Sequence, residues 1–249
     1  MITEYHRPSN LQEALRLLSR KETATVPLGG GTILSRFSDD PVEVVDLQQL
    51  ALNKISKKCD FLSIGATTTL QALMDHSETP VGIKESLQFE GTYNLRQVAT
   101  VGGTLISTKG ESLFSAILLA SNAEMQWEPG EQEVLYETWL SESNSQNQGK
   151  LLIEIHFLFD SIIKFERISL TPRSKPDLFM VKVVQGKQVC YVVGGNCNSF
   201  HAFYGHLASN PQKLAEFLDI AYSDFSKSKL TKPYFVSAIS TLLKRLDVI

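Results

Sequence analysis

Residues 26–36 read VPLGGGTILSR: a short β-compatible run, three consecutive glycines, then a threonine. Glycine has no Cβ and enters positive φ freely, so three in a row mark a place where something approaches the backbone too closely for a side chain. The same punctuation recurs at 95–107, LRQVATVGGTLIS, where Gly102 and Gly103 follow a β-like run and precede Thr104. Both stretches read as glycine-rich turns whose N–H groups can converge on an anion such as a diphosphate. Neither has the G-x-G-x-x-G spacing of a dinucleotide fingerprint or the G-K-[ST] ending of a P-loop, which disfavours a Rossmann cofactor fold and an NTPase.

The flanking sequence predicts a mixed chain. Upstream, Ser9 and Gln12 have capping-box spacing, and Leu11, Ala14, Leu15 and Leu18 recur on one helical face. Downstream, VEVVDLQQL (42–50) predicts a buried strand running into a turn, which completes a small βαβ-like opening. FLSIGA (61–66) is a strand, and TTTLQALMDH (67–76) a helix with Thr68 and Gln71 as its capping pair. SLFSAILLASN (112–122) is apolar enough for a buried helix, and residues 123–140 read as strand, turn and strand. The run KISKK (54–58) reads as a solvated turn.

Residues 141–150, SESNSQNQGK, form the clearest polar break. Beyond it LLIEIHFLF (151–159) predicts a strand, and FMVKVV with VCYVVGG predicts a hairpin around residues 185–188. Two helices follow, near 211–222 and from Tyr234 to Leu246 behind Pro233. No fixed-period repeat is present, which argues against a solenoid.

Composition narrows the function classes. A chain of 249 residues, 43% hydrophobic and 20% charged, can bury a sizeable core. With 24 basic against 27 acidic residues it has no whole-chain attraction to nucleic acid or an anionic membrane. No apolar run approaches the ~20 residues of a membrane span, and the start MITEYHRPSN lacks a leader pattern, so the cytoplasm is the expected compartment. Cys59, Cys190 and Cys197 lack the spacing of a disulfide, zinc or iron–sulfur framework and are expected to be reduced, partly buried thiols. The five histidines are dispersed, the closest pair being His201 and His206, so no metal site is expected. No serine or cysteine carries a nucleophile signature, and no catalytic residue is assigned.

Six motifs in order, EYHRPSNLQEALRLLS, PLGGGT, VVDLQQL, LSIGATTTLQAL, LRQVATVGGTLIS and LLIEI, resemble the FAD-binding subunit of molybdenum hydroxylases. That family includes the medium chain of carbon monoxide dehydrogenase and the flavin domain of xanthine dehydrogenase. The resemblance covers the whole chain, since PYFVSAISTLLKRL is similar to the last helix of the family's C-terminal domain. It implies an α+β fold of the PCMH type: two FAD-binding lobes, 1–55 and 56–145, and a smaller C-terminal α/β lobe, 146–249. It further implies that both glycine turns hold the FAD diphosphate from opposite sides. Carried over by motif, Gly29, Gly30, Gly31 and Thr32 form the first loop. Ala99, Thr100, Gly102, Gly103, Thr104 and Ser107 form the second, and Leu151 lies where the family packs an aliphatic residue near the cofactor.

The implied activity is that of an oxidoreductase subunit. FAD would pass electrons from the [2Fe–2S] clusters of a small subunit to NAD or another acceptor, while a molybdenum-cofactor subunit oxidises the substrate. This chain, lacking cluster cysteines, would need those partners to turn over. Three departures from the family pattern stand out: Ile33 in place of an acidic residue, Thr104 in place of Asn, and the stretch STKGESLF, which leaves Glu111 or Ser112 nearest the family's Asp. Lys164 and Arg167 are the nearest residues to a lysine the family often has early in its C-terminal lobe. These departures support an alternative, a flavin-free assembly subunit of the same fold.

Overall fold

The computed structural model describes residues 1–34, 40–108, 110–142, 149–172, 174–206, 211–225 and 231–246. They fall into two compact units. One consists of Met1–Glu78, Tyr93–Ser107 and Asn122–Phe157, the other of Thr79–Thr92, Thr108–Ser121 and Leu158–Ile249.

The first unit opens with a parallel sheet of β1 (Ile2–His6), β2 (Thr25–Leu28) and β3 (Val42–Asp46), in the order β1-β3-β2. Parallel strands need a crossover, and α1 (Leu11–Leu18) lies in the one between β1 and β2. Ala14, Leu17 and Leu18 share one helical face and bury themselves with Val45, Leu47 and Leu151. The helix starts one residue later than the Ser9 spacing predicts. Asn10 is extended and accepts from the Glu13 N–H (2.9 Å), while the Glu13 carboxylate accepts from the Ser9 N–H (3.2 Å).

A second sheet in this unit comprises β4 (Ile55–Lys58), β5 (Phe61–Gly65), β6 (Glu124–Glu128), β7 (Gln132–Leu135) and β8 (Leu151–Leu158), ordered β4-β5-β8-β6-β7. The expected solvated turn at 54–58 is therefore an edge strand, antiparallel to β5. Lys57 and Lys58 suit that place, because charged side chains on an edge discourage pairing with another chain. The second strand expected within 123–140 stops at Leu135 and continues as helix α7 (Tyr136–Ser141). Tyr136 and Trp139, three apart, share a buried face and stack with ring centroids 6.0 Å apart.

Helix α2 (Leu70–Asp75) is capped by Thr69, whose hydroxyl accepts from the Ala72 N–H at 3.1 Å. Thr68, the expected cap, is buried, with its N–H bonded to Gly65 and its carbonyl to the Val101 N–H. The short helices α4 (Tyr93–Arg96) and α5 (Val101–Ser107) follow the excursion into the other unit. Gly102 and Gly103 thus lie inside a helix, where the sequence predicted a turn.

The second unit is built on an antiparallel sheet of β9 (Ile162–Ile168), β10 (Leu178–Gln185), β11 (Gln188–Gly195) and β12 (His201–Tyr204), ordered β12-β11-β10-β9. The predicted hairpin closes with Gln185 facing Gln188, and Gly186 supplies the positive φ (58°) its tight turn needs. Leu178, Met180, Tyr191 and Val193 bury one face against α8 (Pro211–Phe225) and α9 (Lys232–Arg245). Phe179, Val181 and Val192 alternate to the opposite face, where α6 (Leu113–Ala120) packs on β10 and β11. Burial on both faces explains why these strands read as near-continuous apolar runs. Beside α6 lies α3 (Val81–Leu87). At the start of α6, the Glu90 carboxylate accepts from the Ser112 hydroxyl and the Phe114 N–H, each at 2.9 Å, and burial raises its pKa.

The cysteines divide by environment. Cys190 is buried on β11, and burial pushes the Cys197 thiol up to about 12, with Asp224 adding to the effect. Cys59 is exposed in the turn between β4 and β5, contrary to the expectation of a partly buried thiol. Because the thiolate is the reactive form, a disulfide reagent at pH 8 is expected to titrate Cys59 at once. Cys190 and Cys197 should follow only on denaturation, and two or more thiols reacting rapidly in the native chain would contradict this. No described helix is long and apolar enough to cross a membrane.

Candidate functional site

The first glycine run leaves the end of β2 and passes directly over the segment that enters α5. A Cβ built on Gly30 would stand 1.6 Å from the Val98 carbonyl oxygen, and one on Gly29 would stand 2.9 Å from Thr100 Oγ1. Gly31 has φ +69°, a region L side chains rarely adopt. What comes so close to Gly29 and Gly30 is thus the protein's own second glycine segment.

The two segments differ in what their amides can do. In the second, the Val101 and Gly102 N–H groups donate to the carbonyls of Thr68 and Ala66, each at 2.8 Å. Gly103 donates to Thr100 Oγ1 (3.2 Å) and Thr104 to the Thr100 carbonyl (2.9 Å). In the first, the amides of Gly29, Gly30 and Gly31 donate to no described residue. Among the described residues the first segment thus leaves its three glycine amides without an acceptor, while Val98 and Thr100 of the second pack against it.

Both segments wall a cavity of about 320 Å³ inside the first unit, at the lower end of the ~300–1,000 Å³ usual for small-molecule sites. Of the residues expected from the sequence, it gathers Gly29, Gly30, Gly31 and Thr32 from the first loop and Thr100, Gly102, Gly103 and Ser107 from the second, with Leu151 at the start of β8. Ala99 is buried beside the Val98 contact, and neither it nor Thr104 lines the cavity. Glu111 belongs to the second unit, where its carboxylate meets Lys175 at 3.3 Å. Arg167, also in the second unit, lies over the Phe89 ring (3.9 Å) and donates to the Pro172 carbonyl.

Several lining residues escape the sequence reading, above all Trp127 and Lys150. Trp127 sits on β6 opposite Leu152 and stacks on Trp139 with centroids 6.2 Å apart. Its Nε1 is buried without a partner among the described residues. Lys150, immediately before Leu151, donates from Nζ to Gln132 Oε1 at 3.2 Å, Gln132 being the residue on β7 that pairs with Trp127. It is the one charged side chain among the described lining residues. The only sequence signals for these two are the alternation of β6 and the position of Lys150 at the end of the polar break.

Among the described residues the lining offers three amides without an acceptor, one cation, an indole N–H without a partner and no carboxylate, a set that suits an elongated anionic ligand with an apolar portion. Aliphatic and aromatic walls from Ile33, Ile106, Trp127, Leu151 and Leu152 would take the apolar part. The donor set fits a flavin dinucleotide, whose diphosphate needs amides or a cation and whose rings need such walls.

The site and the fold define a cofactor-binding flavoprotein module. Residues 1–157 match the family described as the FAD binding domain in molybdopterin dehydrogenase, and the chain belongs to that family. Its cofactor is accordingly FAD. The chain is 32% identical over 133 residues to the protein YgfM of Escherichia coli K12, a match that takes in 53% of this chain and 51% of YgfM. It thus spans about half the length of the curated relatives it matches. Its fold resembles that of a chain of carbon monoxide dehydrogenase from Hydrogenophaga pseudoflava: TM-score 0.77, 17% identity, 98% of this chain and 96% of that one covered. It also resembles a chain of CO dehydrogenase from Oligotropha carboxidovorans, with TM-score 0.73, 19% identity and coverage of 97% and 95%. A chain of quinoline 2-oxidoreductase from Pseudomonas putida 86 matches at TM-score 0.70 and 17% identity, covering 80% and 76%.

Proposed function

We propose that this chain is the FAD-carrying electron-transfer subunit of a heteromeric molybdenum hydroxylase. It takes electrons from the [2Fe–2S] clusters of a small subunit, while a molybdenum-cofactor subunit oxidises the substrate, and it delivers them to NAD or another acceptor. The observation that carries the reading is the loop Gly29–Gly31, whose amides have no acceptor and whose cavity lining has no acidic side chain among the described residues.

Bound FAD supplies the redox chemistry, and the chain binds and orients it. In this reading the amides of Gly29, Gly30 and Gly31 hold the diphosphate, with Thr32 and Ser107 offering hydroxyls beside it. Lys150 offsets the phosphate charge. Val98 and Thr100 brace the loop, Gly102 and Gly103 line the cavity beside it, and Ala99 fixes the brace by donating to Leu95 and accepting from Leu70. Leu151 and Trp127 exclude water from the apolar part of the cofactor. Thr104 would contribute a polar contact from outside the cavity lining. No side chain need act as acid or base, because the chain only holds the carrier of the electrons.

The test is the visible spectrum of the purified chain before and after incubation with excess FAD and desalting, followed by titration. Retained flavin absorbance with saturable binding is expected. Lys150→Ala should weaken binding about tenfold, the loss of roughly one charge-assisted hydrogen bond. A well-folded chain that stays colourless, alone and with its iron–sulfur and molybdenum partners, would sink the reading in favour of the flavin-free assembly subunit.

A further inference from the structure

In the parallel sheet whose strand β2 leads into the glycine loop, β1 and β3 assemble a group of side chains that the flavin reading does not use. Alternation along β1 puts Glu4 and His6 on one face, and parallel pairing with β3 sets Glu4 opposite Glu43. His6 Nε2 lies 3.3 Å from Glu4 Oε2 and 3.2 Å from Glu43 Oε2. Among the described residues this is the one group of three or more His, Cys, Asp and Glu whose ligating atoms all lie within 4.8 Å of one another.

We propose that Glu4, His6 and Glu43 form a site for a single divalent transition ion, of the class that accepts mixed imidazole and carboxylate ligands, with zinc as the probe. The spacing supports this directly. Bonds of about 2.0–2.1 Å to a tetrahedral ion place neighbouring ligand atoms roughly 3.3–3.4 Å apart, and two of the three edges already have that length. The second carboxylate, Glu4, has a side chain 60% exposed and can close on the ion while leaving a fourth position for water.

The surroundings orient the ligands as an outer shell does. Glu43 is buried, and its Oε1 accepts from Thr23 Oγ1 at 2.7 Å, which turns Oε2 toward His6. Arg20 is the competitor, with Nη1 3.3 Å from Glu43 Oε2. Its side chain is 42% exposed, so it can swing into water when an ion arrives, and two carboxylates against one guanidinium still leave net attraction for a cation. This pairing lies outside any local ligand motif, because 37 residues separate His6 from Glu43.

The test is calorimetric titration of the full metal-stripped chain with zinc, and of a parallel sample with cobalt followed by visible absorption. One equivalent taken up with a dissociation constant in the micromolar range or below is expected, with cobalt giving bands of a four-coordinate nitrogen and oxygen site and no thiolate charge transfer. His6→Gln and the exposed variant Glu4→Gln should each weaken uptake at least tenfold. Glu4→Gln guards against a folding artefact, since its circular dichroism and unfolding midpoint should match the parent chain. Absence of saturable uptake, thiolate bands, or unchanged affinity in both variants would overturn the proposal.

Discussion

Gly30→Ala is expected to leave a chain that is both colourless in the presence of FAD and substantially less stable without it. The added Cβ would lie 1.6 Å from the Val98 carbonyl oxygen and 2.6 Å from its carbon, and the obstacle is backbone, which cannot rotate away as a side chain can. Relieving the overlap requires the 29–31 loop and the 98–100 segment to part, which opens the floor of the cavity. Overpacking a well-filled site usually costs about 1–3 kcal/mol and occasionally more, and a backbone collision of this size belongs at or above the top of that range. Denaturant unfolding of the cofactor-free chain gives the cost, and FAD titration gives the functional loss. Gly186→Ala is the control: its Cβ meets nothing within 4 Å, and only the strain of φ +58° remains, about 1–2 kcal/mol.

The two readouts together separate two causes for the same glycine. If a phosphate alone demanded the missing side chain, Gly30→Ala would fold with parent stability and lose only FAD. The structure predicts that both are lost, because the close neighbour is part of the chain itself. An unchanged unfolding midpoint would show that the 30-to-98 contact is not made.

That distinction marks how far the sequence could be read. A glycine run shows that space is needed, and it does not show what fills the space, so the residues of the loop were legible while their division of labour was not. Gly102 and Gly103 looked like a second turn, yet they lie in α5 with their amides already bonded to Ala66 and Thr100. Both helix caps were misplaced by one residue, since capping-box spacing cannot tell Thr68, whose backbone is tied to Gly65 and Val101, from Thr69 beside it. Buried strands such as β10 and β11 were plain from their apolar runs. Strands whose side chains stay largely in water were not: β1 exposes Ile2 through Tyr5, and it is held by its ladder to β3 with Tyr5 and Asp46 hydrogen-bonded across it. Trp127 and Lys150 reach one cavity wall only through strand pairing in the second sheet, and nothing local in their sequence announces that meeting.

The core of the second unit supplies the other large effect, at Phe235. This residue opens the buried stripe of α9, which continues through Ala238, Ile239, Leu242 and Leu243 at helical spacing. Its ring is fully buried, 5.2 Å from that of Phe225 and 5.6 Å from that of Tyr222, centroid to centroid, so it joins α9 to α8 above the sheet face formed by Leu178, Met180 and Tyr191. Truncating a buried phenylalanine removes its transfer energy and leaves a cavity that close-packed neighbours only partly fill, a loss of about 3–5 kcal/mol. Against a typical domain stability of about 5–15 kcal/mol, Phe235→Ala should shift the unfolding midpoint strongly and leave a measurable unfolded fraction near physiological temperature. Tyr234→Ala, one residue earlier and 53% exposed, should stay within about 0.5 kcal/mol of the parent. Phe235→Leu should fall between the two, since it restores part of the volume without the ring contacts. The order Tyr234→Ala, Phe235→Leu, Phe235→Ala in increasing cost tests the helix phase as well as the packing, because a rotation of α9 by one position would exchange the effects at 234 and 235.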